Sequence, residues 1–170
     1  MKKIGLLSDT HGWLNPAVFE FFKDCDEIWH VGDIGGTDVA NSLSAFKPLR
    51  AVYGNIDDQK IRLMFPKINI FTIENVKVMM THIGGYPGRY EPGIRELIIK
   101  EKPNIFISGH SHILKVMNDK DLHLLHINPG AAGNSGFHKV ITMLRFQIDG
   151  SDIKNMELYE KQRSNLQVDN

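Results

Sequence analysis

The sequence predicts one α/β domain, and three observations support this prediction. Its 170 residues are close to the ~150 residues of an average domain. Residues 4–53 alternate short apolar runs with helical patterns, which is typical of parallel strands joined by right-handed crossovers. The later residues hold mainly apolar runs separated by turn signals, which indicates a strand-rich second half without a linker or an internal repeat.

The first half of the chain combines predicted strands with predicted helices. Residues 4–7 are apolar at consecutive positions, as in a strand that is buried on both faces. Asn15 is a candidate helix cap, and Pro16 follows it at the first helical position. Thr37 or Asp38 is the candidate cap of a second helix. The helices are predicted over 17–22 and 37–46, and two further strands over 27–31 and 49–53.

The second half consists of predicted strands and one helix. Glu74 and Asn75 form a tight turn between two strands. Pro103 follows a helical pattern and ends it, because proline cannot continue a helix. The helix is predicted over 92–100, and the strands over 68–73, 76–81, 105–108, 113–117, 122–127, 139–148 and 153–159.

Composition and charge predict a cytoplasmic protein. Lysine and arginine number 20, as do aspartate and glutamate, whereas a chain built to bind nucleic acid is normally basic. Cys25 is the single cysteine, which fits a reducing compartment. No apolar run approaches the ~18 residues of a membrane span. We expect one domain over residues 1–163 and a frayed tail over 164–170. The sequence carries no strong nucleic-acid signal, we expect no membrane partner, and a homo-oligomer stays open.

Metal-ligand residue types follow five of the apolar strands. Ligands of open α/β sheets bind beyond the carboxyl ends of the strands, so these side chains are expected to converge. Imidazole, carboxylate and amide groups suit divalent metals, and the lack of cysteine argues against a structural zinc site. Seven ligands are too many for one ion that also holds water, and suit two ions about 3.5–4 Å apart. They are Asp9, His11, Asp33, Asn55, His82, His110 and His112.

The charge balance of such a site favours an anionic ligand. Two divalent ions supply four positive charges, and the two aspartates, Asp9 and Asp33, offset only two of them. Asn55 and neutral histidines contribute no charge. A phosphate ester together with one hydroxide would neutralise the remainder, which points to a phosphate-ester substrate and not to metal storage.

The motifs resemble those of the calcineurin-like metallophosphoesterase superfamily. The matching blocks run in order from residue 9 to 112, and Asn128-Pro129-Gly130 is similar to a further loop of its small members. Chain length and element order most resemble the small bacterial and archaeal phosphodiesterases. The resemblance implies an α/β fold of two facing mixed β-sheets flanked by helices, in a four-layer αββα sandwich. The blocks are Asp9-x-His11, Gly32-Asp33, Gly54-Asn55, His82 and Gly109-His110-x-His112.

The resemblance also implies a ligand set and a cofactor. Asp33 would bridge two divalent ions, with Mn²⁺ expected first and Ni²⁺, Zn²⁺, Fe and Mg²⁺ as alternatives. Asp33, Asn55 and His82 would be the catalytic residues. One ion would take Asp9, His11, Asp33 and His112, and the other Asp33, Asn55, His82 and His110.

One position departs from the family pattern. Many members have a histidine directly after the asparagine, and it is credited with protonating the leaving group. Here that position is Ile56, followed by Asp57. Acid catalysis typically contributes ~10²–10⁴-fold, so its loss favours diesters with activated or aryl-like leaving groups.

Several residues and one alternative function stay open at this stage. Besides Asn55, Arg89 or Tyr90 in the glycine-rich loop after His82 is a candidate substrate contact. The alternative function is a non-catalytic scaffold for protein interaction, similar to a retromer subunit of this fold that has lost ligand residues. The seven ligand positions argue against the scaffold, whereas the missing histidine at Ile56 keeps it open.

Four other histidines outside the ligand set also receive an interpretation. His30 lies inside an apolar strand, and His123 and His126 flank one, so all three are predicted to be structural residues. His138 stays open as a residue near the mouth of the site, because it follows Gly136 in a glycine-rich loop.

Overall fold

The computed structural model describes residues 1–164 and contains two five-stranded sheets. Most of the predicted tail, residues 165–170, lies outside the described residues. The helices are α1 (Ala17–Phe21), α2 (Thr37–Phe46), α3 (Gln59–Met64) and α4 (Ile94–Glu101). The strands are β1 (Lys2–Leu7), β2 (Glu27–His30), β3 (Leu49–Ala51), β4 (Ile68–Ile73), β5 (Val76–Thr81), β6 (Gly85–Tyr86), β7 (Arg89–Tyr90), β8 (Ile105–Ile107), β9 (Leu114–Asp119), β10 (Leu124–Pro129), β11 (Val140–Asp149) and β12 (Asp152–Gln162).

Both large sheets are mixed, as predicted. The first has the order β12-β11-β1-β2-β3, in which β1, β2 and β3 are parallel. The second has the order β4-β5-β8-β10-β9, with β5, β8 and β10 parallel at its centre. The register pairs Leu7 with His30 in the first sheet and Met80 with Ile107 in the second. Neighbouring parallel strands therefore end at the same level.

The main core lies between the two sheets. Ile4 and Leu6 point inward from β1, and Val78 and Met80 point inward from β5, all fully buried. Trp29 of β2 contacts Phe71 of the opposite sheet edge to face, with ring centres 5.1 Å apart. Burying an aromatic side chain of this size is typically worth several kcal/mol relative to alanine.

Helices cover the outer face of each sheet, which completes the four layers. Val18 and Phe22 at α1 and Leu43 of α2 pack on the first sheet in a second buried cluster. Ile98 of α4 packs with Phe106 on the outer face of the second sheet. Within residues 1–164, no helix has the length and apolar character that a membrane crossing requires.

Two of the predicted helix starts are wrong, and one helix was not predicted. Neither Thr37 nor Asp38 caps α2, because Gly36 precedes it and no side chain bonds the first turn. The helix predicted from residue 92 begins at Ile94, since Gly93 has a left-handed φ of 82°. The unpredicted α3 follows Asp58, whose Oδ1 accepts from the Ile61 N–H at 3.1 Å. At six residues, α3 is too short to show a clear helical period.

Candidate metal centre

The proposed ligands gather where the parallel strands of both sheets end. Asp9 and His11 follow β1, Asp33 follows β2 and Asn55 follows β3, whereas the other three histidines follow β5 and β8 of the second sheet. Backbone hydrogen bonds fix adjacent loops to one another. The Asp9 N–H donates to Gly32 O at 3.0 Å, and the Gly109 N–H donates to His82 O at 2.9 Å.

Left-handed backbone conformations are concentrated at the site. Among the described residues 1–164, nine residues other than glycine have positive φ, and five of them are proposed ligands. For an L-residue this conformation costs roughly 1–2 kcal/mol, and such strain clusters at functional sites. The five ligand residues are Asp9 (φ 54°), His11 (48°), Asp33 (53°), His110 (69°) and His112 (60°).

The structure brings six of the proposed ligands into two groups of three. Within each group the ligand atoms all lie within 4.8 Å of one another. The first group is Asp9, His11 and His112, and the second is Asp33, His82 and His110. The seventh proposed ligand, Asn55, is exposed and lines a surface pocket together with His82.

Asp33 is close to both groups. Its Oδ2 lies 3.2 Å from His82 Nε2 in its own group and 3.5 Å from His11 Nε2 in the other. The shortest carboxylate contact of the first group joins Asp9 Oδ1 to His112 Nε2 at 3.1 Å. The corresponding contact of Asp9 Oδ1 with the other group, to His82 Nε2, is longer at 3.8 Å. Of the two carboxylates, Asp33 therefore makes the shorter contact with the opposite group, which supports the expectation that two ions share it.

The donor atoms fit divalent metal ions. Asp9 Oδ1, His11 Nε2 and His82 Nε2 are buried, and none has a hydrogen-bond partner within residues 1–164. A buried polar atom without a partner is costly. Cations held by the two ligand groups would satisfy these three atoms, Asp9 Oδ1 and His11 Nε2 in the first group and His82 Nε2 in the second.

Hydrogen bonds orient two of the histidines so that Nε2 faces the site. His82 Nδ1 lies 2.7 Å from Val31 O and must donate to it. His138 Nε2 likewise donates to Gly133 O at 2.8 Å, so its Nδ1 is free to accept from His112 Nδ1 at 3.0 Å. In His82 and in His112 the Nδ1 carries the proton, so the Nε2 keeps a lone pair that faces the site, as metal-binding histidines require. His138, left open by the sequence, therefore orients a ligand.

Asp57 holds together the loops that carry Asp33 and Asn55. Its buried carboxylate accepts from the N–H groups of Ile34 at 3.1 Å, Gly35 at 2.8 Å and Gly54 at 2.8 Å. Gly54 allows this close approach, because a Cβ at that position would overlap the Asp33 carboxylate. The sequence shows Asp57 only as the residue after Ile56, because two of its three partners lie in a separate loop.

Mutual attraction sets the charges of the site. Burial alone would raise the pKa of Asp9, but contacts with His11, His112 and His82 hold it well below its usual range. Burial also opposes charge on His82, yet the carboxylates of Asp33 and Asp9 outweigh it and raise its pKa. The Asp9 carboxylate likewise raises the pKa of His11. The metal-free site therefore stabilises protons on these two histidines.

His30 and His126 lie outside the two ligand groups. Burial lowers the pKa of each to about 4. His30 Nδ1 accepts from the Gly32 N–H at 3.2 Å, and its Nε2 bonds Thr10 at 2.9 Å, which confirms a structural role. His126 is buried in β10, and neither of its ring nitrogens has a partner within residues 1–164.

The glycine-rich loop after His82 forms the hairpin of β6 and β7. The Tyr90 hydroxyl donates to Asp119 Oδ2 at 2.6 Å and packs its ring against Phe106, so it faces the second sheet. Arg89 is exposed, and a substrate contact for either residue stays a prediction. Tyr86 and Glu91 of the same segment line pockets that also contain proposed ligands.

The hydrogen bonds of Asp57 predict a large effect of a small change. In Asp57→Asn an amide NH₂ replaces one charged acceptor and faces backbone N–H groups. We expect the free energy of unfolding to fall by about 2–3 kcal/mol, as measured by urea denaturation. Asp58→Asn is the matched control, because asparagine caps α3 as well as aspartate and should change stability by less than about 0.5 kcal/mol. Equal effects of the two changes would contradict this role.

The raised histidine pKa values predict competition between protons and metal ions. In the metal-free protein the pKa values of His11 and His82 are raised above 6.5, so both side chains stay protonated to a higher pH than a free histidine. The apparent dissociation constant for Mn²⁺ should therefore rise as the pH falls from about 8 to about 6, by about tenfold per unit for each proton displaced. Calorimetric titration in buffers of different ionisation enthalpy measures the affinity and the protons released.

The contribution of His11 and His82 to the stability of the metal-free protein should decrease as the pH rises. A raised histidine pKa stabilises the fold below the unfolded pKa of ~6.5, and this contribution is lost as the pH rises through the folded pKa. The lowered pKa values of Asp9 and Asp33 stabilise the fold equally at both pH values.

His30, His126 and His138 have lowered pKa values and oppose this trend. Metal-free wild type is therefore compared with the double variant His11→Gln, His82→Gln: the melting temperature of the wild type should fall more from pH 6 to pH 8 than that of the variant. An Mn²⁺ affinity independent of pH would exclude His11 and His82 as ligands.

Comparison with known sequences identifies relatives over most of the chain. Residues 1–151 match the sequence profile of the calcineurin-like phosphoesterase superfamily domain. A probable metallophosphoesterase of Methanothermobacter thermautotrophicus is 32% identical over 133 residues, which cover 75% of this chain and 76% of the archaeal protein.

Solved structures share the fold at lower identity. Vps29 of Chaetomium thermophilum superposes with a TM-score of 0.74 at 13% identity, over 96% of this chain and 97% of its own. Vps29 of Entamoeba histolytica, solved with Zn²⁺, gives a TM-score of 0.71 at 15% identity, over 95% and 99% of the two chains. At these identities the likeness shows the fold alone. The sequence match over residues 1–151 and the archaeal relative establish that the chain belongs to the calcineurin-like phosphoesterase superfamily.

Proposed function

We propose that this phosphoesterase is a phosphodiesterase that uses two divalent ions. The observation that carries the proposal is the pair of three-residue ligand groups, with Asp33 in contact with both. Two divalent ions at such a site polarise phosphoryl oxygens and acidify water. The test is hydrolysis of bis(4-nitrophenyl) phosphate by protein reconstituted with Mn²⁺, with metal-free protein as the control.

The residues of the chain have separate roles in this proposal. Asp33 would hold both ions through its carboxylate, and the Ile56 N–H donates to its Oδ1 at 3.0 Å and so fixes its orientation. Asn55 would supply an amide oxygen to the second ion from the exposed side of the site. His82 presents Nε2 to the second ion, because its Nδ1 is engaged with Val31 O.

Two pockets beside the site support a diester substrate. One adjoins Asn55 and His82 and the other adjoins His110, and both include Ile83 and Glu91 in their walls. A diester bound at the second ligand group has two substituents, and each pocket can take one of them. A monoester would leave one pocket without a substituent.

The ligand chemistry supports a borderline or hard divalent metal. Four imidazoles with carboxylate and amide oxygens suit Mn²⁺, Zn²⁺, Ni²⁺ or Fe, and oxygen ligands also suit Mg²⁺. The zinc bound by Vps29 of Entamoeba histolytica agrees with this range. We propose Mn²⁺ as the first metal to test. We also propose a cytoplasmic location, which fits the single cysteine, Cys25, being buried and free.

A scaffold for protein interaction is the second candidate function. Apolar side chains are exposed around the site, including Ile83, Ile113 and Phe137, which line pockets together with proposed ligands. The fold likeness to Vps29 is compatible with this role. Purified protein that retains its metal and hydrolyses no ester would favour the scaffold over the enzyme.

The shared position of Asp33 predicts how two variants differ in metal content. Asp33→Asn removes the charge in contact with both ligand groups, so it should weaken the binding of both ions. Asn55→Ala removes a neutral ligand from one ion only, and should leave about one tightly bound metal per chain. Elemental analysis after dialysis measures both. Two metals per chain and full activity in Asp33→Asn would show that Asp33 is not the bridge.

The isoleucine at position 56 predicts a strong dependence of rate on the leaving group. Ile56 cannot donate a proton, so expulsion of a basic alkoxide should be much slower than that of nitrophenolate. Ile56→His should raise kcat/KM for poor leaving groups by up to ~10²-fold, with little change for nitrophenyl esters. The side chain of Ile56 is 47% exposed, which leaves space for imidazole. A shallow dependence in the wild type would mean that another group already acts as the acid.

A further inference from the structure

A pocket opens beside the second ligand group and is lined by the exposed Asn55 and the buried His82. Its volume is about 410 Å³, which accommodates a substituent of several heavy atoms. The cationic side chains of Arg62 and Lys67 line it together with one carboxylate, that of Glu91. The pocket therefore has an excess of positive charge next to the place where a phosphate ester would bind.

Contacts with the site itself hold Arg62 in this pocket. Its Nε donates to the Asp57 carbonyl at 2.8 Å, and its Nη2 donates to the Asn55 carbonyl at 3.3 Å. The guanidinium also lies 4.8 Å from the centre of the Tyr53 ring. A guanidinium held in one orientation loses little freedom when it binds an anion.

Arg62 and Lys67, the two cations of the pocket, form no ion pair within residues 1–164. Arg62 Nη1 also has no hydrogen-bond partner in that part of the chain, because its two bonds use Nε and Nη2. Both side chains can therefore contact an anionic ligand without breaking an existing pair.

The pocket on the other side of the site has a different character. Its volume is about 270 Å³, and Tyr86, Ile83 and Ile113 contribute apolar surface to it. Its single cation, Lys115, already lies 4.0 Å above the Tyr86 ring. A neutral or aryl substituent suits this pocket, so an anionic substituent is directed to the pocket of Arg62.

We propose that the pocket of Arg62 and Lys67 binds a second anionic group of the substrate. This inference rests on the proposed function and narrows it: the substrate is a phosphodiester whose retained substituent has its own carboxylate or phosphate. Arg62 forms a paired hydrogen bond with that group, and Lys67 adds a point charge. The metal centre binds the scissile phosphate, and the pocket selects the ester.

The test compares 4-nitrophenyl diesters that share a leaving group and differ in the retained substituent. The substituents are propyl, 2-carboxyethyl, 2-phosphonoethyl and 2-(trimethylammonio)ethyl. For Mn²⁺-loaded protein, kcat/KM should be about tenfold higher with an anionic substituent than with propyl, and lower with the cationic one. The two anionic esters show whether carboxylate or phosphate is preferred.

Variants show whether the preference comes from this pocket. Arg62→Gln and Lys67→Gln should each reduce the ratio of kcat/KM for anionic and propyl esters several-fold, and the double variant should bring it to about one. The ratio is the readout, because Arg62 touches Asn55 and its loss also changes absolute rates. Lys60→Gln is the matched control: it removes the same charge from α3 outside the pocket and should preserve the ratio.

Binding without turnover separates this inference from the proposed function. The metal-loaded protein is titrated with propylphosphonate and with 2-carboxyethylphosphonate, and the carboxylate should tighten binding about tenfold in the wild type only, compared with the double variant. If no ester is hydrolysed but this difference persists, the proposed function fails and the pocket stands. A wild-type ratio at or below one, equal binding of the two phosphonates, or a preference that survives in the double variant would overturn the pocket assignment.

Discussion

The packing of the two sheets against each other is the constraint on which the site depends. Asp9 and Asp33 lie in loops that follow strands of the first sheet, whereas His82 follows a strand of the second. The ligand groups therefore form only while the two sheets keep their relative position. Trp29 and its neighbours in the shared core hold the two sheets in that position. The parallel pairing within each sheet brings the strand ends to one level. The chemistry of the site is therefore coupled to the burial of apolar surface between the sheets.

The site combines backbone strain with buried donor atoms that a bound cation would satisfy. Five ligand residues have left-handed backbone conformations, and three buried donor atoms lack a partner within residues 1–164. The histidines and carboxylates partly compensate by attracting one another, which keeps Asp9 ionised and favours protons on His82. Metal ions would replace those protons and satisfy the same atoms. Metal binding and stability are therefore linked, and the surrounding fold must be rigid enough to maintain the strain.

The same fold is compatible with more than one function, so side chains decide between them. The likeness to Vps29 extends over nearly the whole chain at 13% identity and concerns the fold alone. The features of this chain that bear on its function are the two groups of proposed ligands and the side chains around them. Ile56 withholds a proton donor, whereas Arg62 and Lys67 add positive charge beside Asn55. These features favour an enzyme that selects its ester by the retained substituent.

The sequence by itself predicted the strands, the family and the six residues that the structure gathers into two groups, because apolar periodicity and the residues at strand ends are local features. It did not determine where α2 begins or that α3 exists, since capping and short helices depend on neighbouring loops. Only the tertiary structure showed that His138 orients His112 and that Asp57 joins two loops, because these partners lie 26 and 22–23 residues apart. The pocket of Arg62 likewise forms from several segments of the chain, and no local pattern encodes such long-range contacts.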